Sequence, residues 1–350
     1  MAERGMVAPT SAPGRRIEWM DALKGILILL VVIGHVLLPI HTERPYVSGV
    51  YDLIYLFHMP LFIFVSGFFA KHAVDGEGRQ RVDRVLTYAA LGIAFNVALR
   101  LFAGQSLTLL RVLDLPSAPW YLVSLATWYL LVPFFARLKP APGLVFAALI
   151  SIAATVIRDQ TDVLALSRSA HFLPYFFAGY YLSAASLERL RAPRVRCVLV
   201  CAGIAAALCY LAFQDELAGI YPFVYGNSVC RMRLLVAVPG YLLISALGIV
   251  LALCCMALAP AGTRGTGRLI SRPLSFLGRR TLQIYICHRF VREAMAQMGF
   301  YDWAVGLDQP VLLALLVAIA LVICLVFSWG GFTWVTNKLI SPRWSFMTRP

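Results

Sequence analysis

Three ionisable residues punctuate one apolar stretch. Asp21, Lys24 and His35 lie within RRIEWMDALKGILILLVVIGHVLLPI, residues 15–40. Read as a helix, Lys24 and His35 share a face about 16 Å apart, nearly three whole turns. Asp21 lies one turn before Lys24, on nearly the same face. Ionisable groups in a membrane-type helix cost free energy and mark functional paths. An imidazole suits a general base, or a nucleophile that carries an acyl group briefly. Taken singly, each has a plainer reading. Lys24 could snorkel to an interface, Asp21 could face the positive end of the helix dipole, and His35 could bridge two helices.

Other candidates follow along the chain. His58 sits in YDLIYLFHMPLFIFVSGFFAK, residues 51–71. Its depth from the outer end matches that of His35, so the two imidazoles are expected to be neighbours, with His58 orienting His35 or binding a substrate hydroxyl. Pro60 loosens that helix beside His58, and Ser66-Gly67 allows close packing. Arg79, Arg81 and Arg84 cluster before the third apolar run. Arg81-x-x-Arg84 is a topology anchor in the plain reading and a phosphate clamp in the sharper one, since guanidinium forks match phosphate oxygens. Coenzyme A carries such phosphates. Thr281, Tyr285 and His288 share a face of a late helix, as a polar cavity wall or as a core hydrogen-bond stripe. Trp120, Tyr121 and Trp128 could stack on a sugar ring, or form an interfacial belt.

The elements that must position these residues are membrane helices. The chain has 350 residues, 60% apolar and only 14% charged, against about a quarter charged in soluble domains. Ten spans are predicted: 19–40, 51–71, 85–104, 118–136, 142–157, 171–187, 197–213, 233–258, 276–297 and 311–336. The fifth and sixth are short or Pro-interrupted. Lys and Arg alternate correctly across all ten when the N-terminus is inside, which puts both termini in the cytoplasm. The expected fold class is therefore all-α, a polytopic membrane helix bundle. Residues 1–14 form a cytoplasmic tail, 15–340 the membrane domain and 341–350 a second short tail. The first run lacks a cleavage site and is expected to stay.

The net charge of +14 reads as topology-setting loops, not as a nucleic-acid surface. The eight cysteines form no CxxC pair and read as small buried hydrophobes, so no metal site is expected. No internal repeat matches the first spans to the last, which weakens an inverted-repeat transporter.

Order and spacing of these segments resemble the acyltransferase 3 family of integral membrane acyltransferases, close to its fucose 4-O-acetylase-like branch. The matching pieces are Asp21-x-x-Lys24-Gly25 with Lys24-x10-His35, Phe57-His58-Met59-Pro60-Leu61-Phe62 with Ser66-Gly67, and Arg81-x-x-Arg84. Further on, APWYLVSLATWYLLVPF (118–134), FLPYFFAGYYL (172–182) and PLSFLGRRTLQIYICHRF (273–290) match later segments. Lys24 stands where many relatives have Arg. The resemblance implies ten helices and an acetyl group taken from cytoplasmic acetyl-CoA. It implies a hydroxyl of a surface or lipid-linked glycan as acceptor. His35 would be the catalytic histidine, and Arg81 and Arg84 would help hold the donor. We expect Lys24 to join Arg81 and Arg84 on the donor, Asp21 to hold Lys24, and Trp120, Tyr285 and His288 to face the acceptor. The expected setting is a bacterial inner membrane. Lipid and a second copy of the chain are further candidate partners. The rival readings are a secondary transporter with a histidine proton relay, and a non-catalytic partner of a polysaccharide synthase.

Overall fold

The computed structural model describes residues 18–74, 81–156, 163–213, 234–260 and 265–340. The two expected tails and Arg79 lie outside the described residues. The helices are α1 (Glu18–Leu37), α2 (Pro45–Phe69), α3 (Val82–Phe102), α4 (Leu109–Leu113), α5 (Trp120–Phe135), α6 (Pro140–Val156), α7 (Leu166–His171) and α8 (Leu173–Tyr181). They continue with α9 (Ala184–Leu190), α10 (Pro193–Ala212), α11 (Leu234–Leu258), α12 (Gly265–Gly278), α13 (Thr281–Gln297), α14 (Phe300–Ala304), α15 (Gln309–Val326) and α16 (Gly330–Ile340). Among the described residues the one β-type pairing is an isolated bridge between Asp114 and Val163.

Among the described residues, six helices are long and apolar enough to cross a bilayer by length and composition: α1, α2, α3, α10, most of α11, and α15. Two more apolar helices, α5 and most of α6, are shorter. The chain is a multi-pass membrane protein. Its burial pattern has the logic of lipid as solvent. The most apolar of the six, α15, with a hydropathy of 2.9, is only 28% buried, whereas α1 at 2.1 is 72% buried. Lipid tails are as apolar as Leu, so outward faces can be the most apolar of all. The helix carrying Asp21, Lys24 and His35 is therefore the central one.

Several predicted spans are broken rather than continuous. The run 276–297 is divided between α12 and α13. Arg279 and Arg280 donate their N–H groups to Ser275 and Leu277 at 3.1 and 2.8 Å, closing off α12. The run 311–336 breaks after Val326 into α15 and α16. The run 171–187 spreads over α7, α8 and α9, with Pro174 at the start of α8, where its missing N–H costs nothing. The second span begins at Pro45, earlier than predicted, for the same reason.

Two close crossings hold the bundle. A Cβ on Gly25 of α1 would overlap the Leu274 carbonyl of α12, and one on Gly278 would overlap the Asp21 carbonyl of α1. In the same reciprocal way, Gly67 of α2 lies against the Phe176 carbonyl of α8, and Gly179 of α8 against that of Phe64. Small residues at helix contacts let backbones approach closely in lipid.

Candidate active site

Two cavities lie end to end beside α1. The first, of 280 Å³, opens near the start of α1 and is lined by Lys24, Ser66, Arg84, Tyr121, Thr281 and Tyr285 among others. Lys24 thus points into the protein, not out to lipid. Its Nζ sits 2.7 Å from Asp21 Oδ1 and 5.1 Å from the centre of the Phe69 ring. Asp21 is 5% exposed, so the ion pair is anchored by a buried residue whose backbone carbonyl lies against Gly278 of α12.

Arg84 lines this cavity from the first turn of α3. Arg81 does not. It is the residue flanking the helix start, with φ −79° and ψ 82°, and its guanidinium lies 3.3 Å from Asp83 Oδ2. The R-x-x-R spacing puts two residues on one face only if both are helical. Here the first is outside the helix, so the expected two-arginine clamp has one arm on the cavity.

The second cavity, of 300 Å³, lies toward the far end of α1 and is lined by His35, His58, Tyr55, Trp120, Arg168 and Tyr285 among others. His35 packs ring to ring with His288, at 5.1 Å between centroids. His58 lines the same cavity but stands edge-on to Tyr55 at 4.8 Å. The expected neighbour of His35 is thus joined, and overtaken, by one from α13. Equal depth on adjacent helices fixes height, not azimuth.

The histidine hydrogen bonds define tautomers. A carbonyl can only accept, so Nδ1 of His58 donates to Ile54 O at 2.7 Å and Nδ1 of His288 donates to Ile284 O at 3.0 Å. In each neutral ring Nε2 then carries the lone pair. Nε2 of His288 and Nδ1 of His35 are both buried without a partner.

Among the described residues, Tyr285 is the one side chain that lines both cavities. Its hydroxyl donates to the Ala118 carbonyl, and its ring meets Tyr121 at 5.6 Å. Tyr121 is fixed in turn by Ser66, with 2.6 Å between the two hydroxyl oxygens. This pair of rings stands between Lys24 and His35.

Trp120 lines the second cavity but is 6% exposed. It stacks on Phe172 at 5.3 Å, and the Arg168 guanidinium lies 5.5 Å over its ring. It contributes wall more than open platform. Trp128 lines neither cavity and packs on Phe176, with its Nε1 donating to Ser169 O at 2.8 Å.

Sequence reasoning passed over Arg168 and Arg289. Arg168 donates to Pro116 O at 3.1 Å, and Arg289 donates to Ser117 Oγ at 2.7 Å. With Tyr285 on Ala118, three consecutive residues before α5 are each held by a different side chain. α7, which carries Arg168, is entered through Leu164 and Ala165, both with positive φ (49° and 52°). Such residues cost about 1–2 kcal/mol each, and they let Leu164 N–H bond Leu113 O at 2.8 Å. The signal for Arg289 was its place next to His288.

Two curated relatives are similar in sequence. Nodulation protein NolL of Sinorhizobium fredii (strain NBRC 101917 / NGR234) is 28% identical over 244 residues, covering 65% of this chain and 64% of that protein. The chain thus matches a little under two thirds of that relative's length. NolL of Mesorhizobium japonicum (strain LMG 29417 / CECT 9101 / MAFF 303099) is 44% identical over 57 residues, 15% of each protein. No solved structure matches. The family model described as "Acyltransferase domain" matches residues 17–329, so the chain belongs to the acyltransferase 3 family.

Proposed function

We propose that the chain is an integral membrane O-acetyltransferase that moves an acetyl group from acetyl-CoA to a hydroxyl of a surface or lipid-linked glycan. The observation that carries this is the pair of cavities meeting at Tyr285, one with cations and one with imidazoles. The excess of Lys and Arg at the Lys24 end supports placing that end in the cytoplasm, where coenzyme A is. Lys24 and Arg84 then hold donor phosphate oxygens, Asp21 keeps Lys24 turned inward, and Thr281 offers a hydroxyl on the path.

His35 acts from the second cavity. As base, its Nε2 takes the proton of the acceptor hydroxyl while that oxygen bonds the acetyl carbonyl carbon; the carbon–sulfur bond breaks, and the thiolate leaves and is reprotonated. As acyl carrier, the same nitrogen first bonds the acetyl carbon as the carbon–sulfur bond breaks and the thiolate leaves; the acceptor oxygen then bonds that carbon as the carbon–nitrogen bond breaks, and its proton passes to the thiolate. In either course the His288 ring, packed against that of His35 at 5.1 Å between centroids, sets the orientation of the imidazole, which makes His288 a positioning residue. For thioester and imidazole to meet, the Tyr285–Tyr121 rings must part or the thiol arm must pass beside them. The setting we propose is a bacterial inner membrane.

The test uses purified protein in liposomes with acetyl-labelled acetyl-CoA, and mass spectrometry of envelope glycans from cells with and without the chain. Label should enter glycan, and one acetyl group should disappear from glycans of cells lacking the chain. Solute movement without label transfer would overturn the assignment in favour of a transporter.

The cavity also separates the two arginines. Arg84→Ala is expected to raise the donor KM about tenfold, the worth of one charge-assisted hydrogen bond. Arg81→Ala should change it by less than about threefold, as an exposed ion pair does. Equal losses in the two variants would return the clamp to both residues.

A further inference from the structure

A third cavity, of 380 Å³, adjoins the second across Pro116 and Ser117, which line both. Its other walls include Arg100 of α3, Asp114, and Arg289, Arg292 and Glu293 of α13. Two of the three arginines are neutralised. Arg100 meets Asp114 at 3.3 Å, and Arg292 meets Glu293 at 3.0 Å. Arg289 is 5% exposed and, among the described residues, pairs with no carboxylate. Its Nη2 donates to the neutral Ser117 hydroxyl. Its Nε and Nη1 are buried without acceptors, as are Nε of Arg100 and Nε of Arg292.

A buried guanidinium with two unanswered nitrogens is costly unless something accepts from it. The surrounding structure is built to keep it there. Asn96, 2% exposed, donates Nδ2 to the carbonyls of Arg111, Val112 and Asp114 at 3.2, 2.9 and 3.1 Å. That pins the segment that carries Asp114 and leads to Ser117. The cavity therefore keeps one net positive charge, aimed inward, one residue beyond His288 on the same helix. A planar guanidinium fork matches an oxyanion.

We infer that this cavity is an anion subsite, and that it binds an oxyanion carried by the acceptor, a sugar carboxylate or a sugar phosphate, beside the hydroxyl presented to His35. The word acceptor rests on the acetyltransferase reading; the anion site itself does not. The donor's phosphates belong to the opposite cavity, on Lys24 and Arg84.

The experiment is a thermal-shift titration of the full chain in nanodiscs of zwitterionic lipid, with glucuronate, glucose 1-phosphate and glucose as probes. At least one acidic probe should bind about tenfold or more tighter than glucose. Arg289→Gln should bring it to the level of glucose, Arg289→Lys should keep part of the difference, and acetyl-CoA should titrate as in the wild type. If Arg289→Gln does not fold, a salt series on the wild type decides: raising ionic strength must weaken the acidic probe and spare glucose. Equal binding of all three sugars, binding of none, or a preference that survives Arg289→Gln each overturns the subsite. So does loss of the preference to anionic lipid added to the nanodisc, which would make the ligand a headgroup phosphate. Equal sugar binding together with His35-dependent transfer removes the subsite and leaves the enzyme. An acidic preference without any transfer does the reverse.

Discussion

His35→Ala is expected to lower acetyl transfer by about 10²–10⁴-fold, the usual worth of a positioned general base, while acetyl-CoA binds as before. The separation follows from geometry. His35 lines the cavity at the far end of α1, and the cations that would hold the donor line the near one. Removing the imidazole touches neither Lys24 nor Arg84. His288→Ala should be milder, about tenfold, because its loss frees the His35 ring without deleting it. A merely structural His288 would leave the pH dependence of the rate alone. A positioning one should alter it, since the ring packed against His35 shapes the surroundings in which that imidazole gains its proton. Since only neutral imidazole accepts a proton, the wild-type rate must fall as pH drops through the titration of His35. Single-turnover rates in detergent, with donor affinity measured separately, read all of this. A His35→Ala rate within threefold of wild type would sink the assignment.

Much of α1 was legible because one helix carries the whole pattern. The i,i+3 spacing of Asp21 and Lys24 became a 2.7 Å ion pair. The shared face of Lys24 and His35 became two cavities on one side of α1. Periodicity cannot show what another helix inserts between them, so Tyr285 as a septum was hidden. Tyr285 and His288 were readable as a stripe on one late helix, but their meeting with α1 depends on a break after Gly278 that hydropathy runs straight through. Arg81 falls off the cavity for a local reason: three residues make one turn only where the backbone has begun to turn. His58 lines the same cavity as His35, but span counting gives depth and not direction, so the packing of His288 on His35 was not legible. Arg168 sits on a helix of 6 residues, too short to leave a periodic trace. Arg289 stands next to His288 in the sequence, and only its burial makes it exceptional.

The largest effect on folding is expected from Gly278→Val. A Cβ there meets the Asp21 carbonyl and the Gly25 N–H, both backbone, so no side chain can rotate away. α12 would have to lift from α1. In water an overpacked core costs about 1–3 kcal/mol, occasionally more, because neighbours shift. Here the neighbour is the central helix, and lipid supplies no hydrophobic force to press the pair together again. We expect a loss above that range, read as little monodisperse protein after extraction. Gly330→Val is the control, since nothing lies within 4 Å of a Cβ at Gly330 and its melting temperature should stay near wild type. The smaller Gly278→Ala connects packing to chemistry. Where it folds, α1 is displaced at Asp21, three residues from Lys24, whereas His35 lies several turns away. Its donor KM should therefore rise more than its acceptor KM. If Gly278→Val is as stable as Gly330→Val, the crossing is looser than drawn, and the Asp21–Lys24 pair loses the backbone contact that aims it at the donor.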